Sequence, residues 1–200
     1  LFAHGERGTF CTRAPRRKDE TTMTLTDFLT TEGVRYGEAD VDQVTFDPMF
    51  RTLCEKNSCG FYNACWTCPP AVGTIEELMA KAKAYRRILV YQTVSPLEDS
   101  YDIEGMHDAA VAHNRLTLRV QQTIRQTGLT SMVLGAGTCG VCPTCTKPTG
   151  EPCRFPDLAI TSLEACGVSV SELAKICGLK YINGANTVTY FGLLLYSDGQ

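Results

Sequence analysis

Cys139, Cys142 and Cys145 stand two residues apart in a glycine- and proline-rich stretch, and Cys153 follows with Pro156 close behind. Thiolates are the donors that hold zinc and iron–sulfur clusters, and cysteines at this step in one loop can wrap a single group. The triple echoes the CxxCxxC run of bacterial ferredoxins, whose fourth cysteine comes after three residues and is followed directly by proline. Here Thr146 to Pro152 intervene, so Cys153 could serve this centre or another. Tetrahedral zinc on the same four thiolates is the alternative. Because zinc sites usually set their ligands in two separated pairs, the triple favours iron–sulfur.

A second group lies upstream, Cys54-x4-Cys59-x5-Cys65-x2-Cys68-Pro69-Pro70. Its spacing is less regular, but Cys68-Pro69 resembles the Cys-Pro end of a ferredoxin motif. Cys65-x-x-Cys68 could instead be a redox dithiol. That chemistry expects the pair to open a helix, whereas Pro69, Pro70 and Gly73 separate it from the next helix signal. The N-terminus of that helix would carry partial positive charge toward the loop and favour an anionic centre, with Cys68 best placed to gain. Cys65 is therefore expected to matter less than Cys68. Trp66 and the two prolines would shield the centre, and the backbone amides of Gly135, Gly137 and Gly140 could serve the other one unless they only make a tight turn.

Eleven cysteines in 200 residues fall below the roughly 8–10% of a disulfide-stapled secreted scaffold, and the number is odd. No apolar run followed by a small-residue cleavage site marks a secretory leader, so a reducing compartment, the cytoplasm, is expected. A net charge of −3 and no run of Lys/Arg argue against nucleic acid as a partner. The longest apolar runs, such as Tyr190 to Tyr196, are far short of the ~20 residues that span a bilayer. Cys166 and Cys177 read as small buried hydrophobes. His107 and His113 are six apart and so are not an i, i+4 metal pair, and His113 reads as a core residue.

Around these groups the chain must build a scaffold. Residues 1–22 lack periodicity and read as a loose leader, with Met23 the expected natural start, residues 23–200 the metal-binding domain and Cys11 no ligand. Thr24 can cap a short helix carrying Leu25, Phe28 and Leu29 that Gly33 ends. Val41, Val44 and Phe46 suggest a strand, and 47–54 a helical turn. Thr74-Ile-Glu-Glu77 is a capping box ahead of a helix bearing Ile75, Leu78, Met79, Ala82 and Tyr85 on one face. Arg87 to Val94 reads as a buried strand stopped by Pro96. A helix over 103–126 carries Ile103, Met106, Ala110, His113, Thr117, Val120 and Ile124, ended by Gly128. Ser131 to Leu134 follows as a strand. Two shorter helices come next, the second with a box at Ser169-Val-Ser-Glu172 and a Val168–Leu173 staple. Residues 181–196 read as a terminal hairpin around a Gly184-Ala-Asn186 turn. Strands alternating with helices predict an α/β fold, a single domain of layered helices on a small mixed sheet with two cysteine-rich metal-binding loops.

Three stretches also carry a resemblance: Cys59-Gly-Phe-Tyr to Trp66-Thr-Cys-Pro-Pro-Ala-Val-Gly73, Leu134-Gly-Ala-Gly-Thr-Cys139 through Cys153-Arg-Phe-Pro156, and Ser162-Leu-Glu-Ala-Cys-Gly-Val168. They look like a family of uncharacterised predicted metal-binding proteins of bacteria and archaea, a cysteine-rich domain of unknown function. The resemblance covers nearly everything from Met23 onward. It implies metal binding at Cys54, Cys59, Cys68, Cys139, Cys142, Cys145 and Cys153, whereas Cys65 sits where other residues usually occur.

No GxSxG, Walker loop, HExxH or complete GxGxxG names a second chemistry. The expected function is electron transfer or redox assistance on one or two [4Fe-4S] clusters, with a protein redox partner. The alternatives are a zinc-stapled structural or interaction protein and an enzyme whose incompletely ligated cluster binds substrate.

Overall fold

The computed structural model describes residues 24–197, and the expectations for the leader, Met23 and Cys11 lie outside them. Its helices are α1 (Leu25–Thr31), α2 (Met49–Glu55), α3 (Ile75–Lys83), α4 (Ile103–Thr127) and α5 (Val170–Ile176); its strands are β1 (Arg35–Asp40), β2 (Arg87–Pro96), β3 (Thr130–Gly135), β4 (Thr161–Ser162) and β5 (Thr187–Ser197). They form one mixed sheet in the order β1-β2-β5-β3-β4. All neighbours are antiparallel except β3 and β4. Thus β2 and β3 run parallel, joined by the α4 crossover, and the last strand fills the gap between them.

Period-two alternation on three strands gives the sheet two apolar faces. Ile88, Val90, Leu134, Phe191, Leu193 and Leu195 point to one core, with Leu78 and Ala82 of α3 and Leu173 of α5. Leu89, Tyr91, Val133 and Leu194 point to the other, with Leu29 of α1 and Leu116, Val120 and Ile124 of α4. A sheet buried on both faces accounts for the near-continuous apolar runs of β2 and β5. Gly192 lies opposite Tyr91, where a Cβ would come within 2.1 Å of the phenol ring.

The local signals act as expected at Thr24 and Thr74. Each side chain accepts the N–H of the third helical residue, and Asp27 and Glu77 return the bond to the cap. Gly128 ends α4 with φ 73°. His113 is buried in the core, with Nδ1 2.9 Å from Thr93 Oγ1 and its ring 5.7 Å from that of Tyr91.

Four expectations are corrected. The apolar alternation from Val41 to Phe46 is a 3-10 turn over Val41–Gln43 and one bridge to Val168, and the strand lies just upstream as β1. On α4 the buried stripe runs through Ala109, His113, Leu116, Thr117, Val120, Gln121 and Ile124, while Ile103 stays 77% exposed. The first of the two late helices is only the 3-10 turn Glu164–Cys166, and Ser169 makes no side-chain cap, while its N–H, which a capping box would give to Glu172, donates to the Thr45 carbonyl at 3.0 Å. There is no terminal hairpin. Both edges of β5 are taken by β2 and β3, and Asn183 closes a turn by donating to the Lys180 carbonyl. Among the described residues no helix is long and apolar enough to cross a membrane.

Candidate metal centre

The second cysteine loop leaves the sheet at the end of β3 and returns at β4, its ends pinned by Leu163 N–H donating to the Gly135 carbonyl at 3.1 Å. The first loop runs from α2 to α3. Arg51 of α2 anchors it, donating to the carbonyls of Gly73 at 3.0 Å and Ala165 at 3.3 Å.

All ten cysteines of the described residues are free thiols. Eight of them line two cavities, divided otherwise than by loop. Cys54, Cys59 and Cys68 face a cavity of about 350 Å³, together with Phe50, Phe61 and Glu164. Cys139, Cys142, Cys145 and Cys153 face a tight one of about 20 Å³, and Cys65 of the first loop lies in its wall. That is the room of about one water molecule. Cys65 is 3% exposed.

The two loops are stitched together at this point. Trp66 Nε1 donates to Thr146 Oγ1 at 3.2 Å and to the Glu151 carbonyl at 3.1 Å, and buried Thr146 donates on to the Pro152 carbonyl at 2.9 Å. Lys147 Nζ sits 5.0 Å over the indole. The Cys65 sulfur contacts Thr67 Oγ1 at 3.4 Å, and interactions with the thiols of Cys68 and, less, Cys145 lower its pKa. Cys65 is thereby the contact between the cavities.

Electrostatics separates the thiols. Hydrogen bonding from Cys68 pulls the Cys65 pKa well down, and the same contact with burial pushes Cys68 up. Burial raises Cys54, opposed by the Arg51 guanidinium and reinforced by Cys59 and Glu164. Burial also raises Cys139, offset by the backbone amides of Ile160 and Val141. Cys166 and Cys177 line neither cavity. Burial pushes their thiols up to about 12 and about 11, as for inert core cysteines.

Donor chemistry fits metal: many thiols, few competing donors, and Arg51, Lys147 and Arg154 close by to balance thiolate charge. Among the described residues no three Cys, His, Asp or Glu side chains converge as donors of one ion, so the thiols line walls instead of meeting at a point. The first turn of α3 lines neither wall, and its Glu77 N–H is taken by Thr74 in the helix's own capping box. Gly137 lines the larger cavity and not the one expected for it, while Gly135 and Gly140 sit against Ile160 and Asn114 as close-packing glycines.

Sequence reading missed Thr146 and Glu164. Thr146 gave no signal, since its role depends on a partner 80 residues away. Glu164 did, because it lies inside the Ser162-Leu-Glu-Ala-Cys-Gly stretch that carries the resemblance.

No curated protein and no solved structure matches the chain. One family model does, over residues 38–196, which takes in both cysteine loops, the second half of β1, β2 to β4, α2 to α5 and β5 up to Tyr196. With these thiols compatible with metal binding, the chain belongs to the family described as predicted metal-binding protein (DUF2284).

Proposed function

We propose that the chain is an iron–sulfur protein with a centre at each cavity, and that it passes electrons between a protein partner and the second centre. The observation behind this reading is that eight thiols line two adjoining cavities that touch through Cys65 and Cys68. Bound clusters would supply one-electron chemistry, their potentials set by charge, burial and hydrogen bonds to sulfur. Cys54, Cys59 and Cys68 would serve the first centre; the second would draw donors from Cys139, Cys142, Cys145 and Cys153. Trp66 and Phe155 keep water from the tight cavity, and Lys147 and Arg154 favour added negative charge there. The wider cavity opens at Leu53 and Phe61, which are 47% and 44% exposed and give a redox partner an apolar edge beside exposed Cys59. The role requires reduced thiols, so the working compartment is the cytoplasm.

A zinc-stapled interaction protein is the second reading. It is favoured by the tight cavity, whose room suits one ion more readily than a cluster unless the thiols move apart. Anaerobic purification followed by an absorption spectrum and iron and sulfide analysis decides between them. Iron with matching acid-labile sulfide supports the first, and colourless protein with stoichiometric zinc overturns it.

A further inference from the structure

We infer that Cys65, a residue of the first loop, is a donor of the second centre, and that the peptide from Cys65 to Cys68 is a direct covalent link between the two centres. This rests on the reading that both cavities hold metal.

The spacing Cys65-x-x-Cys68 makes the pair look like partners in one site, and their thiols do interact, yet the two residues line different cavities. Cys68 faces the wide cavity with Cys54 and Cys59; Cys65 faces the tight one with Cys139, Cys142, Cys145 and Cys153. Residue 66 explains the division. Its indole N–H is held by Thr146 and the Glu151 carbonyl, both on the second loop, which draws the preceding cysteine in behind it. Buried Thr67 then holds the Cys65 sulfur at 3.4 Å, and the Cys68 N–H donates to the Cys65 carbonyl at 3.1 Å, closing a turn over the four residues. A thiol with almost no exposed surface, in the wall of a cavity lined by Cys139, Cys142, Cys145 and Cys153, is placed as a donor and not as a surface redox group. Thiolates bound on either side of a four-residue peptide would leave two metal centres one turn apart. In two-cluster ferredoxins the fourth cysteine of a run likewise ligates the other cluster.

The test is the metal content per chain, for whichever metal the native protein carries, in five full-length variants: C59S, C142S, C65S, C65S/C59S and C65S/C142S. C59S and C142S each mark one centre by losing about half the metal, since each binding loop orders around its own ligands. The inference expects C65S to match C142S, C65S/C142S to lose no more than C142S, and C65S/C59S to retain almost none. It is overturned if C65S/C59S keeps as much as C59S while C65S/C142S loses everything, because Cys65 then serves the first centre. Wild-type metal in C65S, or loss of all metal from C65S alone, overturns it too. Repeating the set with Cys65→Ala and following amide exchange in β2 and β5 separates ligand loss from unfolding. Zinc in place of iron and sulfide would sink the electron-transfer reading and leave this partition readable.

Discussion

Trp66 Nε1 donates to Thr146 Oγ1 across 80 positions of sequence, and this bond, with the one to the Glu151 carbonyl, docks one cysteine loop on the other. A neutral hydrogen bond contributes ~0.5–1.5 kcal/mol net, and docking uses two acceptors for one N–H. Trp66→Phe keeps the aromatic packing and removes only that donor. Faster amide exchange at residues 65–68 and 144–153, with β2 and β5 unchanged, is the expected result. Unchanged exchange in both loops would show the docking to be held by something else.

Removing metal should loosen the same two loops and spare the sheet. Residues 54–68 and 139–153 carry few buried apolar side chains to offset the ~1–2 kcal/mol per residue that backbone ordering costs. A metal bound only in the folded state adds its binding free energy to stability, so chelation should lower Tm as well. Hydrogen exchange before and after verified metal loss is the measurement. Protection that persists in both loops would mean they are ordered without metal.

The pH dependence of stability should carry a signature of His113. Burial holds its pKa at about 4 in the fold against 6.5 unfolded, partly countered by the Phe191 carbonyl. Between those values the unfolded chain binds a proton that the native state refuses, so stability falls as pH falls from 6.5 toward 4. At ~1.4 kcal/mol per pH unit the loss is about 3 kcal/mol. Denaturation of the wild type and of His113→Gln should converge on acidification, while acid release of metal affects both alike. Parallel curves over this window would refute the assignment.

Gly192→Ala should be among the most damaging single changes in the sheet. The added methyl would meet the Tyr91 ring at 2.1 Å in a strand paired on both sides, and overpacking of that kind typically costs ~1–3 kcal/mol or more. Tyr91→Leu in the same chain should restore much of the loss, read as a non-additive double-mutant cycle. Additive effects would show that the clash lies elsewhere.

Signals that act within a few residues were legible in the sequence: the cap at Thr24, the box at Thr74, the stop at Gly128, the β2 and β3 cores and the cysteine groups. What escaped depends on distant partners. Arg35-Tyr-Gly-Glu-Ala-Asp40 has little β-branched character and is a strand because β2 offers an edge. Ser169 and Glu172 have the right side chains for a capping box, but the Thr45 carbonyl takes the N–H that Glu172 would accept. The cysteines divide as three and five because of a tryptophan bond that no spacing rule contains.

The sheet order β1-β2-β5-β3-β4 sets a timetable for synthesis. Both thiol loops leave the ribosome before the strand that joins β2 to β3, so until Thr187–Ser197 emerges the two halves of the sheet share no ladder. A nascent chain at that stage presents reduced cysteines on segments with no common scaffold, open to metal capture in the wrong combinations or to oxidation. For the proposed centres, correct loading would therefore follow the emergence of β5, which completes the sheet that carries both loops.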